Sequence, residues 1–319
     1  MIVEEIYKLA VKLGVANDLR GQATVEKNLK RLKQKFERLD EEKQDVFDKE
    51  RLVNPYSDTR ILYESKKKKQ IKKILIGIDI EGDELLLADK LGVDLVIGHH
   101  PRGKALANLS DVMHLQAEVL ALYGVPINIA ESLLKIRISE VARGTAPINH
   151  NRPVDMARLL DLNFMCLHTV CDNLVANFLK KIIDKEKNKI EYVEDVINIL
   201  KSIPEYQEAQ KIGVGPRLFA GSEENRAGKI ALTEITGGTE GSPKIYEKMA
   251  QAGIGTIIGM HMSEEHKKEA ENAHINALIA GHISSDSIGI NLFLDQLAQK
   301  GIEIIPCSGL IRVSRLKKK

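Results

Sequence analysis

Two adjacent imidazoles, His99 and His100, close the apolar run Asp94-Leu-Val-Ile-Gly-His-His-Pro101, and imidazole is the commonest side-chain metal ligand. Val93, Leu95, Val96 and Ile97 read as a short buried strand that Pro101 stops at once. Both rings therefore lie where a strand opens into a loop, the place where α/β sheets bind ligands. A regular strand would point them to opposite faces, whereas the turn before Pro101 can bring both toward one cleft. The ordinary counterpart is one packed and one exposed histidine. Two further strand ends carry an imidazole and a carboxylate four residues apart. His282 and Asp286 follow the apolar strand from Ala277 to Ala280 and Gly281, and they share a face if a helix begins near Ser284. His168 and Asp172 follow the β-rich run from Asn163 to Leu167. Taken singly, each pair reads as a helix cap beside a satisfied core histidine. Three such ends in one chain point to a common cation site.

Four pieces in order, Ile78-Asp79, Gly98-His-His-Pro101, His168-Thr-Val-Cys-Asp172 and Gly281-His-Ile-Ser-Ser-Asp286, resemble the signature of the Nif-three-like family. Gly237-Gly-Thr-Glu-Gly241 is similar to that family's glycine turn before a helix, and the resemblance runs from about Lys72 to the C-terminus. It implies a dinuclear metal site with His99, His100, Asp172, His282 and Asp286 at the five ligand positions, and Asp79 and His168 as groups that orient them. It also implies a two-lobed, three-layer fold and a ring-like homo-oligomer, often a hexamer. Two cations roughly 3.5–4 Å apart would acidify a bridging water and clamp substrate oxygens. Asp172 is the expected bridge. Zinc, iron, manganese and nickel all suit a mixed imidazole and carboxylate set. The first functional expectation is thus a metal-dependent hydrolase acting on a small phosphoester or purine-nucleotide substrate. The second is a non-catalytic metal-binding or regulatory protein, since the family's name comes from a partner interaction.

The chain departs from the family pattern in three places. Asp286 stands where glutamate is usual and is one methylene shorter, so its reach is reduced. Val170-Cys171 replaces Asn-Leu, and Cys171 either binds metal or packs as a small hydrophobe. The interval from His100 to Asp172 is long and holds helical patterns over residues 112–123 and 131–141 that are expected to cover the cleft. His261 and His266, in Gly259-Met-His-Met-Ser-Glu-Glu-His266, follow an expected strand and could orient ligands or shuttle protons; surface positions suit them equally. His114, His150 and His274 have no companion pattern and read as structural.

The rest of the chain supplies the elements that must place these groups. From residue 74 onward strands and helices alternate: Ile74 to Ile80, Asp83 to Leu91, Asp94 to Ile97, Asp111 to Tyr123 and Asn163 to Leu167. A second round comprises Ile230 to Ile235, Lys244 to Ala252, Gly255 to Ile258, Glu264 to Ala273, Ala277 to Ala280, Ser287 to Lys300 and Glu303 to Pro306. Such alternation argues an α/β fold. The two rounds read as halves facing one another across the cleft. Ahead of them, Ile2, Ile6, Leu9 and Leu13, then Val25, Leu29, Leu32, Phe36 and Leu39, form two helical seams. The expected organisation is a helical extension over residues 1–65, an antiparallel hairpin, before an α/β metal-binding domain over residues 66–319.

Composition narrows the alternatives. The 319 residues are 43% hydrophobic, ample for a packed core. Cys166, Cys171 and Cys307 are too few and irregular for a disulfide framework, and no apolar stretch is long enough to span a bilayer, so a cytoplasmic setting is expected. The runs Lys66-Lys-Lys-Lys69 and Arg315-Leu-Lys-Lys-Lys319 could contact nucleic-acid phosphates. Against that, 47 Lys and Arg oppose 45 Asp and Glu, and aromatics are 4% with no Trp, which leaves no evident stacking platform. There is no Gly-x-Ser-x-Gly elbow and no phosphate-binding Gly-Lys-Ser/Thr loop.

Overall fold

The computed structural model describes residues 1–67 and 69–316. Three helices open the chain, α1 (Val3–Ala16), α2 (Gln22–Phe36) and α3 (Glu41–Val46), followed by a 3-10 turn at Lys49–Leu52. The first half continues with β1 (Thr59–Tyr63), β2 (Lys73–Gly77), α4 (Gly82–Lys90) and β3 (Leu95–Gly98). An all-helical insert comes next: α5 (Gly103–Ala107), α6 (Leu109–Val112), α7 (His114–Leu122), α8 (Ile127–Thr145) and α9 (Arg152–Leu160). It returns to β4 (Asn163–Leu167), α10 (Thr169–Glu186), α11 (Val193–Lys201) and α12 (Pro204–Lys211). The second half is β5 (Arg217–Ala220), β6 (Lys229–Leu232), α13 (Ile245–Gln251), β7 (Ile254–Gly259), α14 (Glu264–Asn272), β8 (Asn276–Ile279), α15 (His282–Ala298) and β9 (Glu303–Cys307).

The strands form two sheets of matching order, β1-β4-β3-β2-β9 and β5-β8-β7-β6. Parallel strands, four in the first sheet and three in the second, carry one antiparallel edge strand in each: β1 against β4, and β5 against β8. The second order is the first with its labels advanced by four, except that β9 crosses back to extend the first sheet beside β2. The expected pairing of two related halves is therefore present as a repeat of topology.

Strand alternation sets the layers. On the first sheet Leu75, Val96, Phe164 and Cys166 pack toward α4, α5 and α9, while Ile74, Ile76, Leu95, Ile97, Met165 and Leu167 pack on α1, α10 and α15. On the second, Leu232, Ile258 and Leu278 meet α10, α11 and α12, while Ala231, Ile257 and Ala277 meet α7, α8, α13 and α14. Helices α10 and α15 thus lie between the sheets and are shared by both halves. They approach closely because Gly289 presents no side chain where α15 meets the Cys171 carbonyl of α10.

Three local expectations differ from the structure. Residues 59–63, inside the stretch read as a helical extension, form β1 and pair with β4. Their alternation was hidden by Asn54-Pro-Tyr-Ser-Asp58, which reads as a breaker. The first two helices do not zip together along their seams: α1 sinks Val3, Ile6 and Ala10 into the core with α10 and α15, whereas α2 buries only Val25. Helix α15 starts at His282 rather than near Ser284 or Ser287. Strand β5 and helices α9 and α12 carry no clear period; α11 repeats Val193, Val196, Ile197 and Leu200 at helical spacing and falls outside the expected elements all the same. Among the described residues no helix is long and apolar enough to cross a membrane. Of the basic runs, Lys68 and residues 317–319 lie outside the described residues.

Candidate metal centre

All the parallel strands of a half end at the same edge, and the chemically capable residues follow those ends. Gly77 pairs with Gly98 and Gly98 with Cys166, so Asp79, His99, His100 and His168 leave the first sheet side by side. Gly259 pairs with Ile279, which places His261 beside His282. Gly281 adopts φ 103, a left-handed turn that glycine accommodates, and this folds the chain from β8 directly into α15 with His282 at its first position. His168 and Asp172 open α10 in the same way, the histidine preceding the first turn and the acid lying within it.

The turn after β3 does bring both rings of the His-His pair together, their centroids 5.4 Å apart. His99 Nδ1 lies 3.1 Å from the Leu167 carbonyl oxygen and donates to it, so Nε2 turns to Asp172 Oδ1 at 3.3 Å and Asp286 Oδ1 at 3.4 Å. His100 Nδ1 is 2.8 Å from Asp79 Oδ1, and its Nε2 is 3.4 Å from Asp286 Oδ2. His282 Nε2 stands 3.6 Å from the same oxygen. Three donor groups result: His99 with His100 and His168; His100 with His282 and Asp286; His99 with Asp172 and Asp286.

The distances discriminate between a hydrogen-bonded cluster and a cation cradle. Good N–H···O bonds are about 2.7–3.2 Å; the separations across this cluster exceed that. His99 Nε2, Asp172 Oδ1 and both carboxylate oxygens of Asp286 are buried without a hydrogen-bond partner. Unsatisfied buried polar atoms are rare, and four of them converging, one imidazole nitrogen and three carboxylate oxygens, make a donor set suited to a cation. The residues therefore fit a metal ion, which these buried His and Asp groups could hold.

Burial alone would push the His99 imidazole down, but the Asp286 charge and the contacts with Asp172 and Asp286 outweigh it and hold its pKa well above the usual histidine value. For Asp286 burial acts upward, and the His99 charge with the His100 contact overrides it, keeping the carboxyl far below its usual range. His282 is pushed down to about 4, mainly by burial, and stays neutral with a free lone pair. In the metal-free protein a proton on His99 thus occupies the place of positive charge. A cation must expel it, so affinity for a divalent metal is expected to fall as pH drops and uptake to release protons. Titration calorimetry in two buffers of different ionisation enthalpy measures that release; uptake independent of pH would contradict the assignment.

The remaining residues singled out from the sequence are placed as follows. Asp79 Oδ1 lies 2.8 Å from His100 Nδ1 and 3.2 Å from the Arg102 guanidinium. His261 meets the edge of His282 at 5.1 Å between ring centroids, with Glu240 Oε1 3.3 Å from its Nδ1. His266 is not brought to the donor groups: one nitrogen bonds the Gly241 carbonyl at 3.1 Å and the other Ser263 Oγ at 2.7 Å. Cys171 is buried in the core cluster against His99 and belongs to none of the three groups; burial raises its thiol pKa and keeps it protonated. Three acids escaped sequence reasoning. Glu240 sits inside the Gly-Gly-Thr-Glu-Gly turn, Glu234 takes φ 56 two residues after β6, and Asp58 binds His168. Only Glu240 carried a signal, its place in that motif.

A cavity of about 10 Å³, room for roughly one water, adjoins the cluster and is lined by His168, Asp172, Glu234, Thr236, His261 and His282 among others. The helical insert reaches it through the glycine turn: Gln116 donates to the Gly237 and Thr239 carbonyls at 2.9 and 2.7 Å. A larger groove of about 470 Å³, between α2 and the α7–α8 pair, shares no residue with the donor groups.

Two α/β halves meeting at paired His and Asp groups define a two-lobed α/β fold whose buried His and Asp groups could hold a metal ion. Among solved structures the chain is similar to a NIF3 superfamily protein from Sphaerobacter thermophilus, with a TM-score of 0.73 and 29% identity over 80% of this chain and 92% of that one. It is also similar in fold to reduced HcgD from Methanocaldococcus jannaschii, with a TM-score of 0.52 and 17% identity over 83% and 94% of the two chains. The fold is the NIF3-like fold that the sequence motifs imply. No protein-family model and no curated protein matches the chain.

Proposed function

We propose that the protein is a dinuclear metal-dependent hydrolase of phosphoester or nucleotide-type substrates. The observation that carries the reading is the convergence of four buried, unpartnered donor atoms on His99, Asp172 and Asp286. Two of the three donor groups share Asp286 through different oxygens, which supports two ion positions bridged or flanked by that residue. Divalent ions bound there supply Lewis-acid polarisation and lower the pKa of water. The chain's own residues do the rest: the Leu167 carbonyl and Asp79 fix the rings of His99 and His100, and His261, backed by Glu240, faces the cleft where it can pass a proton to a leaving group. Zinc, iron, manganese and nickel all suit these donors.

The test has two stages. Protein purified without added metal should carry at least one transition-metal ion per chain or take it up on reconstitution; neither happening defeats the reading. Loaded protein is then assayed against phosphatase, nuclease, peptidase and cyclohydrolase substrates beside Asp172→Ala, which should lose any activity found. One observation favours a non-catalytic, regulatory role: the cavity beside the cluster holds about a single water. Full metal loading with no turnover across the panel selects that second reading.

A further inference from the structure

The segment between the 3-10 turn and β1 contains a carboxylate that no motif marks. Asp58 is fully buried. Its Oδ2 accepts from His168 Nδ1 at 2.8 Å and from Thr169 Oγ1 at 2.6 Å, at the mouth of α10. A network clamps the backbone around it. The Asn54 side chain bonds the Tyr56 amide and the Tyr56 and Thr59 carbonyls, Tyr56 Oη donates to Asp18 Oδ2 at 2.9 Å, and Asn173 of α10 reaches the same oxygen at 3.3 Å. The corner between α1 and α2 thereby holds Asp58 against the start of α10.

His168 belongs to the donor group with His99 and His100, their ligand atoms lying within 4.8 Å of one another, and its ring centroid is 4.9 Å from that of His99. A neutral imidazole that donates Nδ1–H to a carboxylate leaves Nε2 unprotonated, which is how outer carboxylates prepare histidines for metals. With Nδ1 committed to Asp58, Nε2 is the nitrogen left for the cluster.

We propose that Asp58 is a positioning residue of the metal site, fixing His168 in the tautomer that presents an unprotonated Nε2 toward His99 and His100. The inference rests on the metal reading above and goes past it by making the N-terminal segment part of the site. A chain shortened to begin near Ser65 would lose this carboxylate and β1 together, so such a truncation cannot report on the helices alone.

The experiment uses the full chain and cobalt(II) as probe, with Asp58→Ala, Asp58→Asn and Asp58→Glu. Affinity is taken by competition with a chromophoric chelator, the ligand set from the cobalt d–d absorption, and the His168 tautomer from nitrogen-15 shifts of the metal-free protein. Asp58→Ala should weaken cobalt binding roughly 10–100-fold and alter the d–d band. Asp58→Asn, which keeps an acceptor oxygen, should weaken it less, and Asp58→Glu should recover part of the loss. If the alanine variant does not fold, the asparagine variant and the tautomer measurement decide. Wild-type affinity and spectrum in Asp58→Asn and Asp58→Ala, or a wild-type His168 protonated on Nε2, overturn this inference alone. A wild-type protein that takes up no cobalt overturns the metal reading and this inference with it.

Discussion

Asp286→Ala is expected to abolish tight cation uptake while the chain stays folded. Both oxygens of Asp286 are buried and unpartnered, and between them they stand 3.4 Å from His99 Nε2, 3.4 Å from His100 Nε2 and 3.6 Å from His282 Nε2. Asp172, the other carboxylate of the donor groups, stands near only two imidazoles, His99 and His168. Its removal should weaken binding by more than the roughly 10–100-fold typical of an outer partner. His282→Ala should cost less, because that ring is 39% exposed and meets the cluster through one carboxylate oxygen. From the residues alone Asp286 carries the weakest expected effect, on account of its missing methylene. The structure gives the reason to reverse that order: α15 begins two residues earlier than expected, at His282, and lies against α10, so the shorter acid is carried into the cluster by its helix. Metal content by mass spectrometry with a thermal melt checks the prediction. Unchanged stoichiometry in Asp286→Ala would remove the residue from the site.

His99→Ala is expected to destabilise the metal-free protein more than any other ligand substitution. The ring is fully buried between Asp172 and Asp286, nearer to Asp172 than His168 is and as near to Asp286 as His100 is. Deleting it leaves two carboxylates facing each other in the interior, and removing one partner of a buried pair typically costs about 3–5 kcal/mol. His282→Ala, at a partly exposed ring that burial keeps neutral, should cost about 1 kcal/mol or less. Urea denaturation with a chelator present measures the difference. Added metal should return part of the lost stability to His99→Ala, since a cation replaces the missing positive charge. Equal stability of the two variants would mean that the carboxylates are not held by His99.

The legible part of this chain is the part governed by local rules. Short apolar runs match strands β3, β4 and β8 within a residue or so, with Pro101 closing the first and Gly281 following the last, and the groups that follow them are recognisable because ligand-grade side chains at strand ends are unusual. Nothing in that logic reaches Asp58, whose partner His168 is 110 residues away, or Glu240, which returns to His261 from within a glycine turn. His266 shows the opposite failure. It shares a segment with His261, yet α14 carries it to a carbonyl and a serine away from the donor groups, which spacing alone does not distinguish. Strand β1 is an edge strand of five residues, three of them only partly buried, and the breaker Asn54-Pro-Tyr-Ser-Asp58 just ahead of it masks its alternation.

The repeated order of the two sheets has a mechanical consequence. Each half ends its third parallel strand in a His-x-x-x-Asp helix start, His168 to Asp172 on α10 and His282 to Asp286 on α15, and neither half holds all the donors. A cation on this cluster would be a cross-brace between the sheets, because one lobe cannot swing from the other without stripping ligands from it. Occupancy at 100 times the dissociation constant adds about 2.7 kcal/mol to the folded state, and here that increment falls on the seam between lobes rather than inside either. The shared helices α10 and α15 and the returning strand β9 already tie the two sheets together, and a bound cation would add a further tie at the edge where their strands end.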